Sequence, residues 1–209
     1  VSPGLLRAGL VFDRVIESLL VDKRINAKDL LIGDKNAILI NARKNAYGDE
    51  YEFTYVCQKC NTQNKHTENF SELKIKDIYV DETFSFTSNG TVIVTLPTSK
   101  SVVELRFLTG EDETAIDQIV KKKEDNNLPP EPLLTRYRYI IVSVNGNSDL
   151  DKIVEFIGKI PFSDSRWLRQ KYTAVSPDID FRFTSDCKSC GHTTAGGVPI
   201  AADFFWPEL

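Results

Sequence analysis

Four cysteines in two C-x-x-C pairs, Cys57/Cys60 and Cys187/Cys190, constrain this chain more than any other feature, because 126 residues, 61 to 186, lie between the pairs. Two residues between cysteines let both sulfurs converge on one ion about 2.3 Å away. Each pair follows an aromatic alternating run, Phe53-Thr54-Tyr55-Val56 before Cys57 and Ile179-Asp180-Phe181-Arg182-Phe183 before Cys187. These runs read as strands. The residue after each second cysteine is Asn61 or Gly191, and both tolerate the left-handed backbone of a knuckle turn. The spacing therefore predicts a four-thiolate site of zinc-ribbon type, holding one structural zinc on Cys57, Cys60, Cys187 and Cys190. The insert far exceeds the 15 to 20 residues of a compact ribbon. An ion would then clamp a single unit over residues 1–209, with the intervening chain as an excursion from the metal site.

Other uses of the cysteines are weaker. Disulfides need an oxidising compartment, for which the chain carries no signal. A thiol redox enzyme would place its pair at a helix N-terminus, and neither pair sits there. His66 and His192, the only histidines, lie just beyond the cysteine pairs and read as solvated or supporting groups, since four cysteines already complete the ligand set. Lys59, Lys65 and Lys188 could moderate the charge of the thiolates or serve as ordinary surface lysines.

The rest of the sequence predicts an α+β chain, with helical segments around β-hairpins. Residues 1–48 read as helical, with Gly33 as a stop for one helix and Asp34 as the cap of the next. Residues 49–108 carry the first knuckle and strands at 84–87, 91–96 and 102–108, with Asn89-Gly90 as a hairpin turn. Residues 109–175 return to helix, opened by Thr109-Gly110-Glu111-Asp112 as a capping box. Helices are expected at Leu150–Lys159 and, capped by Ser163, at Asp164–Tyr172, while 136–144 fits helix or strand. Residues 176–209 hold the second knuckle and an aromatic tail, Phe204-Phe205-Trp206, which reads either as core or as an anchor for a protein partner. No repeat stands out beyond the paired strand-to-knuckle unit.

Composition narrows the function. With 26 Lys+Arg against 30 Asp+Glu, the net charge of −4 argues against a chain whose main task is to hold phosphates. The run Lys121-Lys122-Lys123 is followed by Glu124 and Asp125 and reads as a solvated helix end. No apolar run is long enough for a membrane helix, and no signal peptide opens the sequence, so a soluble protein is expected. Val1 begins the chain and no Met occurs, which leads us to expect residues before it. No phosphate loop, nucleophile elbow or paired histidine suggests catalysis or a small-molecule substrate.

The stretch Lys28-Asp29-Leu30-Leu31-Ile32-Gly33-Asp34 through Arg43, then Tyr47-Gly48-Asp49-Glu50-Tyr51, then Cys57 and Cys60, resembles the baseplate hub subunit family of T-even-type contractile-tailed bacteriophages. The likeness covers about residues 25–60 and 150–195. It implies a structural or hub-assembly role in the tail baseplate, with other baseplate proteins as partners and no catalysis. A zinc-ribbon nucleic-acid-binding or transcription accessory protein and a thiol redox enzyme stand as the alternatives.

Overall fold

Alternating buried and exposed side chains in Glu50–Val56 set the first strand: Tyr51, Phe53 and Tyr55 face inward and their neighbours face solvent. The computed structural model describes residues 3–78, 81–200 and 204–205, with side chains from residue 11 onward. Among them the chain is α+β, with six α-helices and three small antiparallel sheets, and it divides into two compact units.

Of the described residues, one unit comprises 21–32, 77–78 and 81–177. Its sheet runs in the order β3 (Phe84–Phe86), β4 (Val92–Thr95), β5 (Val102–Leu105), β6 (Ile141–Val144). Helices α3 (Gly110–Asp125) and α4 (Pro132–Ile140) lie in sequence between β5 and β6, and α5 (Leu150–Lys159) and α6 (Phe162–Val175) follow. Val92, Val94, Val103 and Leu105 from the sheet pack with Ile116, Val120, Tyr137, Ile140, Ile153, Ile157 and Leu168 from the helices in one apolar cluster. The expected capping box is present: the Thr109 hydroxyl accepts from the Asp112 amide, and the Asp112 carboxylate accepts from the Thr109 amide. Gly90 has φ +77° in the turn between β3 and β4, the conformation the Asn89-Gly90 pair was expected to supply. The ambiguous stretch 136–144 is both things, a helix that ends at Ile140 and a strand that starts at Ile141.

The α6 cap differs from expectation. The helix starts at Phe162 after Pro161, without a side-chain cap, and Asp164 is turned to another task. Fully buried, its carboxylate accepts from the amides of Thr98 and Ser99 at 2.8 Å each. Burial alone would raise its pKa, but the hydrogen bonds from Ser99 and Thr98 outweigh it and hold the carboxyl below its ordinary value. A folded pKa below the unfolded one gives stability that is present above pH ~4 and lost as pH falls through the folded value. We expect Asp164→Ala to destabilise this unit by about 3 kcal/mol, because two backbone amides lose a charged, buried acceptor. Urea titrations at pH 7 and pH 3 should show most of that difference at the higher pH; an equal cost at both would contradict the assignment.

Of the described residues, the other unit comprises 3–20, 33–76, 178–200 and 204–205. Helices α1 (Pro3–Leu19) and α2 (Ile32–Tyr47) are joined within it by an ion pair between Asp13 and Lys35, both largely buried. Gly33 and Asp34 lie in the first turn of α2 and not at a break between helices. The acidic residue suits the positive end of the helix, and residues 27–29 form only a 3-10 turn. Two hairpins complete the unit, β1 (Glu50–Val56) with β2 (Gln63–Asn69) and β7 (Arg182–Asp186) with β8 (Thr193–Gly197). An isolated antiparallel bridge joins Ile75 to Ile179, flanked by bonds from the Lys76 amide to the Asp178 carbonyl and from the Asp180 amide to the Lys74 carbonyl. The chain thus leaves this unit and re-enters it at neighbouring positions. The long insert builds an apolar core of its own.

The Phe204 side chain is fully buried, with its ring 5.1 Å from Tyr51, 5.8 Å from Phe70 and 5.0 Å from Phe205. Phe205 is also buried and stands 5.9 Å from Phe12. Of the two readings of the aromatic tail, core packing describes these two residues. Trp206 lies outside the described residues.

Candidate metal centre

Each knuckle is a reverse turn fixed by its own backbone. In the first, the Asn61 amide donates to the Cys57 carbonyl at 3.0 Å and the Cys57 amide to the Thr62 carbonyl at 2.9 Å. In the second, the Gly191 amide donates to the Cys187 carbonyl at 2.9 Å and the Cys187 amide to the His192 carbonyl at 3.0 Å. Asn61 and Gly191 have φ +57° and +68°, so the residues after the second cysteines take the left-handed backbone their types allow.

The hairpins bring the two turns together. All four sulfurs lie within 4.8 Å of one another, with Cys57 Sγ 3.7 Å from Cys190 Sγ and Cys60 Sγ 3.6 Å from Cys187 Sγ. A disulfide would bring two sulfurs to about 2.05 Å, and all four cysteines are free thiols. Four sulfurs set tetrahedrally about 2.3 Å from one ion stand about 3.8 Å apart, so the cross-knuckle pairs are already near that spacing. The donor set fits a soft or borderline cation that favours thiolate. Cys57 and Cys187 are buried, while Cys60 and Cys190 are exposed.

Backbone amides and the crowding of the sulfurs together shift the protons on these thiols. The Cys190 amide, helped by those of Ser189 and Asn64, holds the Cys187 thiol down at about 6 against partial burial. The His192 amide lowers Cys190, but contact with Cys60, desolvation, and contact with Cys57 and Cys187 outweigh it and push that thiol up to about 12. Four converging sulfurs give up a first proton readily and resist losing the last, because each new thiolate repels the next.

Neither histidine joins the sulfurs. The His66 Nε2 lies 3.0 Å from a Glu68 carboxylate oxygen, and its ring packs 5.2 Å from Phe183 and 5.4 Å from Phe53. His192 contributes its carbonyl to the second knuckle. Lys65 pairs with Glu52 at 2.7 Å and Arg182 with Asp180 at 2.6 Å. In the other unit, Lys123 pairs with Glu131. Such pairing leaves less free positive charge for phosphate.

One supporting residue escaped the sequence analysis. Asn64 is 5% exposed in β2 and touches both knuckles. Its Nδ2 donates to the Thr62 carbonyl at 2.9 Å and to Cys187 Sγ at 3.5 Å, and its Oδ1 accepts from the Lys188 amide at 3.0 Å. The surrounding run, Gln63-Asn64-Lys65-His66-Thr67-Glu68-Asn69, has no apolar alternation to mark it as a strand. A signal was nonetheless present: aligning the two halves on their cysteines puts Asn64 opposite Thr194.

The site defines a class, a protein built on a four-cysteine knuckle centre that closes two hairpins on each other. The chain belongs to the family described as T4 bacteriophage base plate protein, which it matches over residues 10–206. It is a T4-type phage baseplate protein, and the match extends well beyond the segments that carry the resemblance in sequence. Neither the curated proteins nor the solved structures contain a match to it. No helix among the described residues is long and apolar enough to cross a membrane.

Proposed function

We propose that this chain is a non-enzymatic structural or assembly component of the baseplate hub, with a hairpin unit held by one structural zinc of zinc-ribbon type on Cys57, Cys60, Cys187 and Cys190. The observation that carries the zinc is the convergence of four free thiols near tetrahedral spacing. Bound there, zinc would supply four coordinate bonds and offset the charge of the thiolates. Four protein ligands leave no open position for a substrate, which favours a scaffold over an enzyme.

The partners are other baseplate proteins, in the hub or the adjoining wedge, met in the host cytoplasm during assembly or in the finished tail. Family membership carries this reading, and the surface supplies material for it. Phe162 is 85% exposed at the start of α6, and Leu150 and Val154 are exposed on α5 while Ile153 and Ile157 of that helix are buried. Large exposed apolar side chains are the usual anchors of protein interfaces.

Two measurements test the reading. Purified chain should contain one zinc per molecule by elemental analysis, and tagged chain expressed in phage-infected cells should co-purify with tail proteins in a manner insensitive to nuclease. Recovery with nucleic acid instead, weakening steeply with salt, would favour an accessory nucleic-acid binder. Turnover with a dithiol reductant would favour a redox enzyme.

A further inference from the structure

We infer that Asn64 is the positioning residue of the four-thiol centre, holding the Cys187–Cys190 knuckle in place from the opposite hairpin. This inference deepens the zinc reading above and rests on it. The two hairpins are counterparts at a fixed offset: Tyr55 and Ser185, separated by 130 residues, meet through a 3.1 Å hydrogen bond from the tyrosine hydroxyl. The same offset pairs Cys57 with Cys187, Cys60 with Cys190, Phe53 with Phe183, and Asn61 with Gly191. It also pairs Asn64 with Thr194, and there the likeness fails.

Both residues are buried, at 5% and 4% exposure. Asn64 uses its whole amide, with two donor contacts and one acceptor contact, and two of these cross to the second knuckle. Thr194, one bond shorter in reach and lacking an N–H, leaves its buried hydroxyl without a hydrogen-bond partner. The second knuckle is thus tied to the first hairpin by a side chain, and the equivalent side chain of the second hairpin makes no return contact. An N–H aimed at a sulfur stabilises the thiolate a metal needs and fixes the direction from which it coordinates. The acceptor contact to Lys188 holds the turn that carries Cys187 and Cys190.

The test measures affinity for zinc and for cobalt by competition with a chromophoric chelator, and the cobalt absorption spectrum, on the full chain. Asn64→Ala should lower the affinity about 10- to 100-fold, as loss of a group supporting a ligand commonly does. Asn64→Asp keeps the size and the acceptor for Lys188 but turns an oxygen toward Cys187, so it should lose at least as much. It also covers the case in which the alanine variant folds poorly. Thr194→Val removes the idle hydroxyl at nearly constant shape and should bind as the parent does. Parent-like affinity and spectrum in both Asn64 variants would overturn the inference while leaving the zinc reading intact. Equal losses in Thr194→Val and Asn64→Ala would overturn it too, by assigning the effect to packing. A parent chain that binds no metal would overturn the zinc reading, and the inference with it.

Discussion

Stripping the metal with a chelator is expected to lower the thermal stability of the hairpin unit and leave the sheet-and-helix unit in place. The two respond differently because the latter has a continuous apolar cluster from Phe84 to Val175 and no cysteine, whereas the hairpins carry the four thiols. With free zinc at a thousandfold its dissociation constant, mass action adds about 4 kcal/mol to the unit that binds it. Cys187→Ser should remove most of that, since it deletes a buried thiol of the proposed site, the sulfur that Asn64 contacts. Protons compete for the same thiolates, so the metal-dependent increment should shrink as pH falls. Calorimetry of the full chain, with and without chelator, should show one metal-sensitive and one insensitive transition. Identical traces would exclude a metal clamp.

Phe204→Ala should destabilise the hairpin unit by about 3–5 kcal/mol, the cost of emptying a large buried aromatic site. The ring is fully buried and meets Tyr51, Phe70, Phe181 and Phe205, so little of the loss can be recovered by collapse of one neighbour. Phe162→Ala is the comparison, because that side chain is 85% exposed and its removal should change stability by less than about 0.5 kcal/mol. Denaturant unfolding measures both. If Phe204→Ala kept full stability yet lost capture of tail proteins, the tail would be a partner anchor and not a part of the core.

Legibility in the sequence followed apolar pattern and local chemistry. Strand β1 showed through its alternating aromatics, α5 through Ile153 and Ile157 at helix spacing, and α3 through its capping box. The convergence of the four cysteines was legible because two-residue spacing leaves few chemical uses. Strands β2 and β8 were not, since Gln63–Asn69 and Thr193–Gly197 hold few β-formers. They become strands because each knuckle reverses the chain and sets it in register against an apolar partner, as in the pairings of Val56 with Gln63 and Asp186 with Thr193. Division into two units was also hidden, because cysteine spacing reports where chain ends meet and not whether the insert has its own core. Asn64 was hidden for a related reason: a polar residue in a polar run gains meaning only when the second knuckle arrives beside it.

The bridge between Ile75 and Ile179 has a consequence in time. Cys60 emerges from the ribosome 127 residues ahead of Cys187, and synthesis at about 5–20 residues per second puts about 6–25 s between them. During that interval the sheet-and-helix insert is completed up to its last helix while the first knuckle has only two of its four sulfurs. The order of synthesis therefore makes completion of the four-cysteine cluster a late event, reached once the chain has returned through residue 179 and delivered its last cysteine.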